Sequence, residues 1–91
     1  MKLSEDQIPA FRLTILLLLE SSPNWPLNLV SIKIGLVLKG YRDCEPDDVL
    51  THCRAMAEFK WVSIGRSQVN RTVVEIELLE AGRVALRDAG L

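Results

Sequence analysis

The chain has 91 residues, a length that corresponds to one domain, which we expect to span residues 1–91. Apolar residues make up 48% of the sequence and charged residues 25%, a composition typical of globular proteins rather than of disordered chains. Eleven Lys and Arg residues against twelve Asp and Glu residues give a net charge of −1, which excludes a polybasic tail and a histone-like binder.

The first predicted helix covers residues 5 to 20. Ser4 and Gln7 have the spacing of a capping box, and Pro9 is tolerated only in a first turn. A helix that is apolar nearly all round is buried on several sides. We therefore expect either the central helix of the fold or part of a dimer interface. Its apolar residues are Ile8, Phe11, Ile15, Leu18 and Leu19 on one face, with Leu13, Leu16 and Leu17 on the other side.

The segment 25–27 is predicted to form a very short edge strand, because Pro26 restricts the residue before it to extended geometry. Asn28 is a good N-cap for a second helix over residues 29–39. Gly40 is the expected residue just beyond its C-terminus. The predicted buried stripe of this helix consists of Leu29, Ile32 and Leu36, with Val37 beside them.

The third helix is predicted to begin at Pro46, the residue type favoured in the first helical position. Asp47 and Asp48 lie in its first turn, where carboxylates complement the helix dipole. The amphipathic pattern of this segment is the clearest in the chain. The arc predicted to be buried contains Val49, Leu50, Cys53, Met56 and Ala57, and the opposite arc contains Asp47, Thr51, Arg54 and Glu58.

After Lys60 the pattern becomes extended. Trp61–Ile64 and Thr72–Leu78 are predicted to form a β-hairpin, with the polar segment 65–71 as its loop. In the second strand Val74, Ile76 and Leu78 alternate with two glutamates, as in a half-buried strand. Residues 80–87 are predicted to form the last helix, closed by Gly90.

The predicted order is therefore helix, strand, helix, helix, strand, wing, strand, helix. The second and third helices are joined by a short turn, as in a helix-turn-helix, and a hairpin follows directly. This order predicts a winged helix-turn-helix, a mainly α fold with a small antiparallel sheet (α+β). The first helix would form the central rib, the next two would pack across it, and the three strands would cover one end.

Several segments resemble a family of small winged-helix proteins encoded in the structural-gene region of Mu-like transposable phages and prophages. The similarity covers roughly residues 8 to 88 and is carried by the run 12–19, the helix that Asn28 begins, the segment 46–49, Trp61-Val62, and the segment 79–83. The resemblance implies a phage-derived protein in the cytoplasm of a bacterial host, with a role in DNA binding or assembly, and it supplies no catalytic residues to carry over to this chain. This chain has Leu79 where such proteins usually have a Thr N-cap before the last helix.

The residues themselves predict a non-enzymatic protein, since no nucleophile or acid–base pair belongs to a recognisable site. His52 lies on the flank of the third helix and is predicted to be solvated, and Tyr41 is predicted to pack over a turn. Cys44, His52 and Cys53 have no zinc-finger spacing and are fewer than the roughly four ligands that zinc prefers. We therefore expect no metal and no cofactor, with Cys44 a free thiol in a turn and Cys53 a core thiol.

Charge predicts where DNA would bind. The stretch 59–74 carries Lys60, Arg66 and Arg71 and no acidic residue, and phosphate contacts come mainly from Lys and Arg. Gln68 and Asn70 add neutral polar groups near the tip of the wing. Such a wing can lie along the DNA backbone or reach into a minor groove, although an exposed loop is often polar without any partner.

The third helix would enter the major groove, as the second helix of a helix-turn-helix does. Thr51, His52 and Arg54 are the residues expected to touch base edges or phosphates. Three acidic residues, Asp47, Asp48 and Glu58, make this helix face net negative. The predicted affinity for double-stranded DNA is therefore weak and salt-sensitive.

A second hypothesis is a winged-helix adaptor or dimerisation module in phage assembly that does not bind DNA. The first helix has more aliphatic residues than one side can bury, and Trp25, Trp61 and Val73 are expected to be partly exposed. We therefore predict a homodimer formed through the first helix, the last helix or both, and other phage proteins as further partners.

The cellular location of the protein is predicted from the residues that precede the first helix and from the length of the apolar runs in the chain. Ser4, Glu5 and Asp6 stand where a signal peptide has its apolar stretch. The longest apolar run, 15–19, is far shorter than the roughly 20 residues that cross a bilayer. These features predict a cytoplasmic protein with no membrane partner.

Overall fold

The computed structural model describes residues 1–22 and 26–90. Within these residues the chain forms four helices and three strands. In chain order they are α1 (Gln7–Glu20), β1 (Leu27–Asn28), α2 (Leu29–Leu38), α3 (Pro46–Glu58), β2 (Val62–Arg66), β3 (Val74–Leu78) and α4 (Glu80–Asp88). This order confirms the predicted succession of elements and the winged-helix architecture.

The strands form an antiparallel sheet in the order β1-β3-β2, with β3 in the centre. Ile76 pairs with Leu27 on one side and with Ile64 on the other. Side chains alternate across a strand, so Ile76 and Leu78 are buried while Glu77 is exposed. The predicted alternation of the second hairpin strand is therefore confirmed.

The first helix lies at the centre of the core, in contact with α2, α3, α4 and β3. Phe11, Ile15, Leu16 and Leu19 are buried on it. Leu16 was predicted to lie on the other side of the helix, but it is fully buried because α1 is covered from several directions. Leu17 remains 38% exposed.

The start of α1 differs from the prediction by two residues. The helix begins at Gln7, not at residue 5, and its N-cap position is Asp6, which makes no side-chain capping bond. The backbone N–H of Ser4 donates to Oε1 of Gln7 at 3.0 Å. One bond of the predicted capping box therefore forms, although Ser4 is not the N-cap.

The ends of α2 and the start of α3 follow the predicted local signals. Oδ1 of Asn28 accepts from the backbone N–H of Ser31 at 2.8 Å, and Gly40 has a φ of +108° just after α2. Pro46 is the first residue of α3. The carboxylate of Asp48 accepts from the backbone N–H of Glu45 at 2.8 Å, which satisfies a donor at the helix start.

The end of α3 has a geometry that the sequence did not predict. Lys60 has a φ of 60°, in the left-handed region that favours glycine. The N–H of Lys60 donates to the carbonyl of Ala57 at 3.0 Å, and the N–H of Trp61 donates to the carbonyl of Met56 at 3.1 Å. These two bonds form a Schellman motif. The same motif ends α2, where Gly40 takes the left-handed position.

All three strands have boundaries that differ from the predictions. Gly65 and Arg66 belong to β2, because they pair with Glu75 and Val74. The loop of the hairpin therefore covers residues 67–73. The first strand is Leu27–Asn28, and the part of its predicted range at Trp25 lies outside the described residues, as does the predicted exposure of that side chain.

None of the helices within the described residues is long and apolar enough to cross a membrane.

The left-handed backbone at Lys60 gives a stability prediction. Replacing Lys60 with Gly should raise the free energy of unfolding by about 0.5–1 kcal/mol, because Gly lacks the steric penalty of a Cβ in this region and only part of the gain is lost to the more flexible unfolded chain. Urea unfolding of both proteins measures the difference. Gly40→Ala is the converse control and should lower stability; a less stable Lys60→Gly variant would contradict the prediction.

Candidate nucleic-acid interface

The tip of the wing, residues 67–73, is held by its own polar side chains. Oγ of Ser67 accepts from the backbone N–H groups of Val69 and Asn70 at 3.2 and 3.3 Å. Oδ1 of Asn70 accepts from the N–H and the hydroxyl of Thr72 at 3.1 and 2.7 Å. These oxygens therefore shape the loop, while Gln68 is exposed beside them.

The predicted wing arginines are both exposed and lie together. Nη1 of Arg66 donates to the backbone carbonyl of Arg71 at 3.3 Å, so the side chain of Arg66 reaches across the base of the loop. No acidic residue lies between residues 59 and 74. The wing consequently presents two guanidinium groups without a neighbouring carboxylate in its loop.

A groove of about 370 Å³ separates the wing from the starts of two helices. One wall is formed by residues 72–74 of the wing, and the other by residues 28–31 at the start of α2 and by Pro46 at the start of α3. Helix N-termini carry partial positive charge and attract anions, although at α3 the carboxylates of Asp47 and Asp48 in the first turn offset that charge. The groove therefore brings two helix starts next to the loop that carries the two arginines.

The exposed arc of α3 has the predicted composition. Asp47, Thr51, Arg54 and Glu58 are all exposed. The hydroxyl of Thr51 donates to the backbone carbonyl of Asp47 at 2.9 Å, which leaves its oxygen as an acceptor for a ligand. In the part of the chain that the structure describes, the side chain of Arg54 makes no hydrogen bond or ion pair and is available for contact.

The prediction that His52 is solvated is wrong. Nε of Arg12 donates to Nδ1 of His52 at 3.1 Å, and the imidazole packs on Phe11 with 4.9 Å between ring centroids. Burial, and then the positive charge of Arg12, lowers the pKa of His52. The ring is therefore half-buried against α1, and its Nδ1 is occupied by the hydrogen bond from Arg12. Tyr41 packs on Phe11 from the other direction, as predicted.

Lys60 is separated from the two wing arginines. It lies just after the C-terminal end of α3, whereas Arg66 ends β2 at the wing. A strand of this length spans about 17 Å. The predicted group of three cations is therefore split, with two members at the wing and the third at the base of the hairpin.

Both cysteines are free and buried. Burial raises the pKa of the Cys44 thiol, and it raises the pKa of Cys53 to about 12. Cys44 thus lies in a turn as predicted, but its side chain is covered. Across residues 1–22 and 26–90, no three His, Cys, Asp or Glu side chains form a cluster that could hold a metal ion.

The groove beside the wing was not predicted from the sequence. Asn28, Ser31 and Thr72 supply neutral polar groups at its walls, but their positions along the chain gave no sign that they meet. The N-cap pattern at Asn28 placed a helix start there, and only the pairing of β1 with β3 brings that start beside the wing.

Comparison with solved structures supports the same fold. A structure of BpsR from Bordetella bronchiseptica, described as explaining how 6-hydroxynicotinic acid regulates its DNA binding, matches with a TM-score of 0.70 and 14% identity. The match covers 94% of this chain and 59% of BpsR, so this chain spans little more than half of that protein. At this identity the likeness establishes the winged-helix fold. No protein-family model and no curated protein matches the chain.

The contact between Arg12 and His52 predicts how stability depends on pH. Because the pKa of His52 is lowered in the folded state, the unfolded chain binds the proton more readily. The contribution is complete above pH 6.5, the ordinary histidine pKa, and is lost as the pH falls toward the lower folded pKa. Urea unfolding at pH 7.5, 6.5 and 5.5 should show this loss.

His52 is the single histidine of the chain, so the control is direct. His52→Asn keeps an acceptor close to Nδ1 but does not titrate in this range, and it should make the stability nearly constant between pH 7.5 and 5.5. Equal pH dependence in both proteins would show that His52 does not cause the change.

Proposed function

We propose that this chain is a non-enzymatic winged helix-turn-helix protein that binds double-stranded DNA as a homodimer. The observation that carries the proposal is the position of the wing: Arg66 and Arg71 extend from it, next to a groove bordered by the starts of α2 and α3. The fold is shared with BpsR, whose DNA binding is the subject of its structure. This likeness supports the proposal, because the protein that shares the fold binds DNA.

In the proposed complex the wing lies on the DNA backbone or in a minor groove. Arg66 and Arg71 would bind phosphates or the narrow minor groove, where arginine is favoured. Gln68 and the amide nitrogen of Asn70 would add hydrogen bonds, since the loop uses only the oxygen of Asn70. The exposed arc of α3 would enter the major groove and present Thr51 and Arg54 to base edges.

The biological setting follows from the resemblance to proteins of Mu-like phages. We infer a prophage-derived protein that acts in transcriptional regulation or in handling of the phage genome. Segments 12–19 and 79–83 carry this part of the proposal. Operator selection in vivo, by sequencing DNA that co-precipitates with the protein, would separate regulation at defined sites from general genome handling.

A second candidate function is an adaptor in phage assembly that does not bind DNA. It is favoured by the exposed arc of α3, where Asp47 and Glu58 oppose the single cation Arg54. A net negative arc repels phosphates and would suit a protein partner. Absence of binding to any duplex at low salt, with the protein folded, would favour this candidate over the first.

Removing the two wing arginines tests DNA binding. Arg66→Ala with Arg71→Ala should lower affinity about equally for unrelated duplexes and reduce the slope of log K against log salt by about 2. Fluorescence anisotropy of labelled duplexes over a salt series measures both. The control, Arg83→Ala with Arg87→Ala, removes the same charge from α4 and should leave the slope unchanged. An unchanged slope in the wing variant would exclude the wing from DNA contact.

The homodimer is proposed to form through a groove between α1 and α4 with a volume of about 780 Å³. Its lining is mainly apolar, and Val84 is 40% exposed on its α4 side. Arg12 and Asp88 line the same groove, and no ion pair joins them within the described chain. In a twofold dimer, Arg12 of each copy could pair with Asp88 of the other, which makes the surface self-complementary.

Charge reversal tests this interface. Asp88→Arg should weaken the dimer by placing two cations together, and Asp88→Asn should weaken it less because it only removes the pair. Sedimentation equilibrium at micromolar concentration measures the mass, and circular dichroism confirms folding. A wild-type protein with the mass of a single chain would contradict the dimer, and a dimer of wild-type strength in Asp88→Arg would contradict this face.

A further inference from the structure

The outer face of α2 carries an apolar ridge that the core does not use. Val30, Ile34 and Leu38 are 56%, 55% and 81% exposed. They are four residues apart and therefore lie along one side of the helix, opposite the buried Ile32 and Leu36. Successive residues at this spacing form the kind of ridge that packs against another helix. We refer to these three residues as the α2 ridge.

Single exposed aliphatic side chains are common on protein surfaces, but the α2 ridge is continuous. Ser31, the polar residue beside it, is uncharged, and Val37 continues the apolar surface on the other side. Contiguous exposed apolar surface marks an interaction site. The proposed DNA contacts lie on the wing and on α3, and the proposed dimer uses α1 and α4, so neither covers Ile34 and Leu38.

The charges on α2 and on the turn that follows it, up to Arg42, are of one sign. From residue 29 to residue 42 the chain has three cations, Lys33, Lys39 and Arg42, and no acidic residue. Lys33 is one turn from both Val30 and Val37 on the helix surface. Lys39 and Arg42 follow the end of the ridge and are exposed. A partner that covers the ridge would gain most from carboxylates at its edges.

We propose that the α2 ridge binds an amphipathic helix of another protein, with aliphatic side chains against the ridge and Asp or Glu residues along its flanks. Three side chains on one helix match the width of a single partner helix, whereas stable interfaces between folded proteins use about 20–30 residues on each side. A second copy of this chain is a poorer occupant, because pairing two α2 helices would bring Lys33 and Lys39 of both copies together with no acid on either helix.

The ridge borders the proposed DNA site at one end only. Val30, at the start of the ridge, also lines the groove beside the wing, while Leu38 lies at the far end of α2. A helix on the ridge would therefore extend from the edge of the proposed DNA site along α2. This inference goes beyond the proposed function and does not require that DNA be bound.

Designed peptides test the proposal with the intact chain. One peptide is an amphipathic helix with Leu at four-residue spacing and Glu along both flanks, and the second has Lys in place of each Glu. Titration of fluorescein-labelled peptide measures affinity, and amide chemical shifts of the protein locate the site. The acidic peptide should bind and shift amides of residues 29–39, and the basic peptide should bind at least about tenfold more weakly because its charges are repelled.

Two variants make the result specific. Ile34→Gln replaces the exposed side chain at the centre of the ridge. It should lower the affinity for the acidic peptide about tenfold, because the apolar contact is lost. Phe59→Gln changes a side chain of similar exposure, 58%, at the end of α3 and should leave this affinity unchanged. Both variants should keep wild-type DNA affinity, which separates this test from that of the wing.

Three outcomes would overturn the proposal. One is no binding of the acidic peptide at millimolar concentration, and another is equal affinity for the acidic and basic peptides. The third is a dimer that Ile34→Gln converts to a monomer in sedimentation equilibrium, which would assign the ridge to a second copy of the chain.

Discussion

The backbone carbonyl of Trp61 is the point on which the relative positions of α3, the hairpin and α4 depend. The N–H of Leu79 donates to it at 2.9 Å, which ties the end of β3 to the start of β2. The first turn of α4 lies directly against the same carbonyl: a Cβ on Gly82 would be 2.4 Å from its oxygen, a distance that no side chain can occupy. Trp61 is itself held by the Schellman motif at the end of α3, through its N–H bond to Met56. The backbone of one residue thus joins three elements, and the hydrogen at the Cα of Gly82 is what allows the approach.

This junction has a consequence for the candidate interface, which lies at the opposite end of the hairpin. The paired strands carry the orientation set at Trp61 to the wing, where the loop is stiffened by the bonds of Ser67 and Asn70. The start of α2 reaches the same place because β1 pairs with β3. The wing and the helix starts therefore keep a fixed separation, as the proposed fit to a DNA groove would require.

Features decided by local backbone chemistry could be predicted from the sequence, and features decided by contacts between distant elements could not. The caps at Asn28, Gly40 and Pro46 depend on a few neighbouring residues, and the alternation in β3 depends on one covered face. By contrast, Lys60 was grouped with Arg66 because they are close in sequence, but an extended strand moves such residues apart. His52 was predicted to be solvated from its position on a helical wheel of α3. Such a wheel shows one helix alone, and the partner of the His52 hydrogen bond is Arg12, 40 residues away on α1.

The distribution of charge over the interface bears on how DNA would be recognised. The acidic residues of the site belong to the exposed arc and first turn of α3, while the wing loop carries arginines alone. Affinity that comes from phosphate neutralisation would therefore arise at the wing and would be nearly independent of sequence. Asp47 and Glu58 oppose entry of α3 into the major groove unless Arg54 and Thr51 find suitable base edges, because only specific hydrogen bonds can offset the repulsion from the backbone. With this separation of charges, the wing would hold DNA weakly at any sequence. The acidic residues of α3 would lower the affinity for sequences that do not match Thr51 and Arg54, so a low overall affinity would accompany discrimination between sequences.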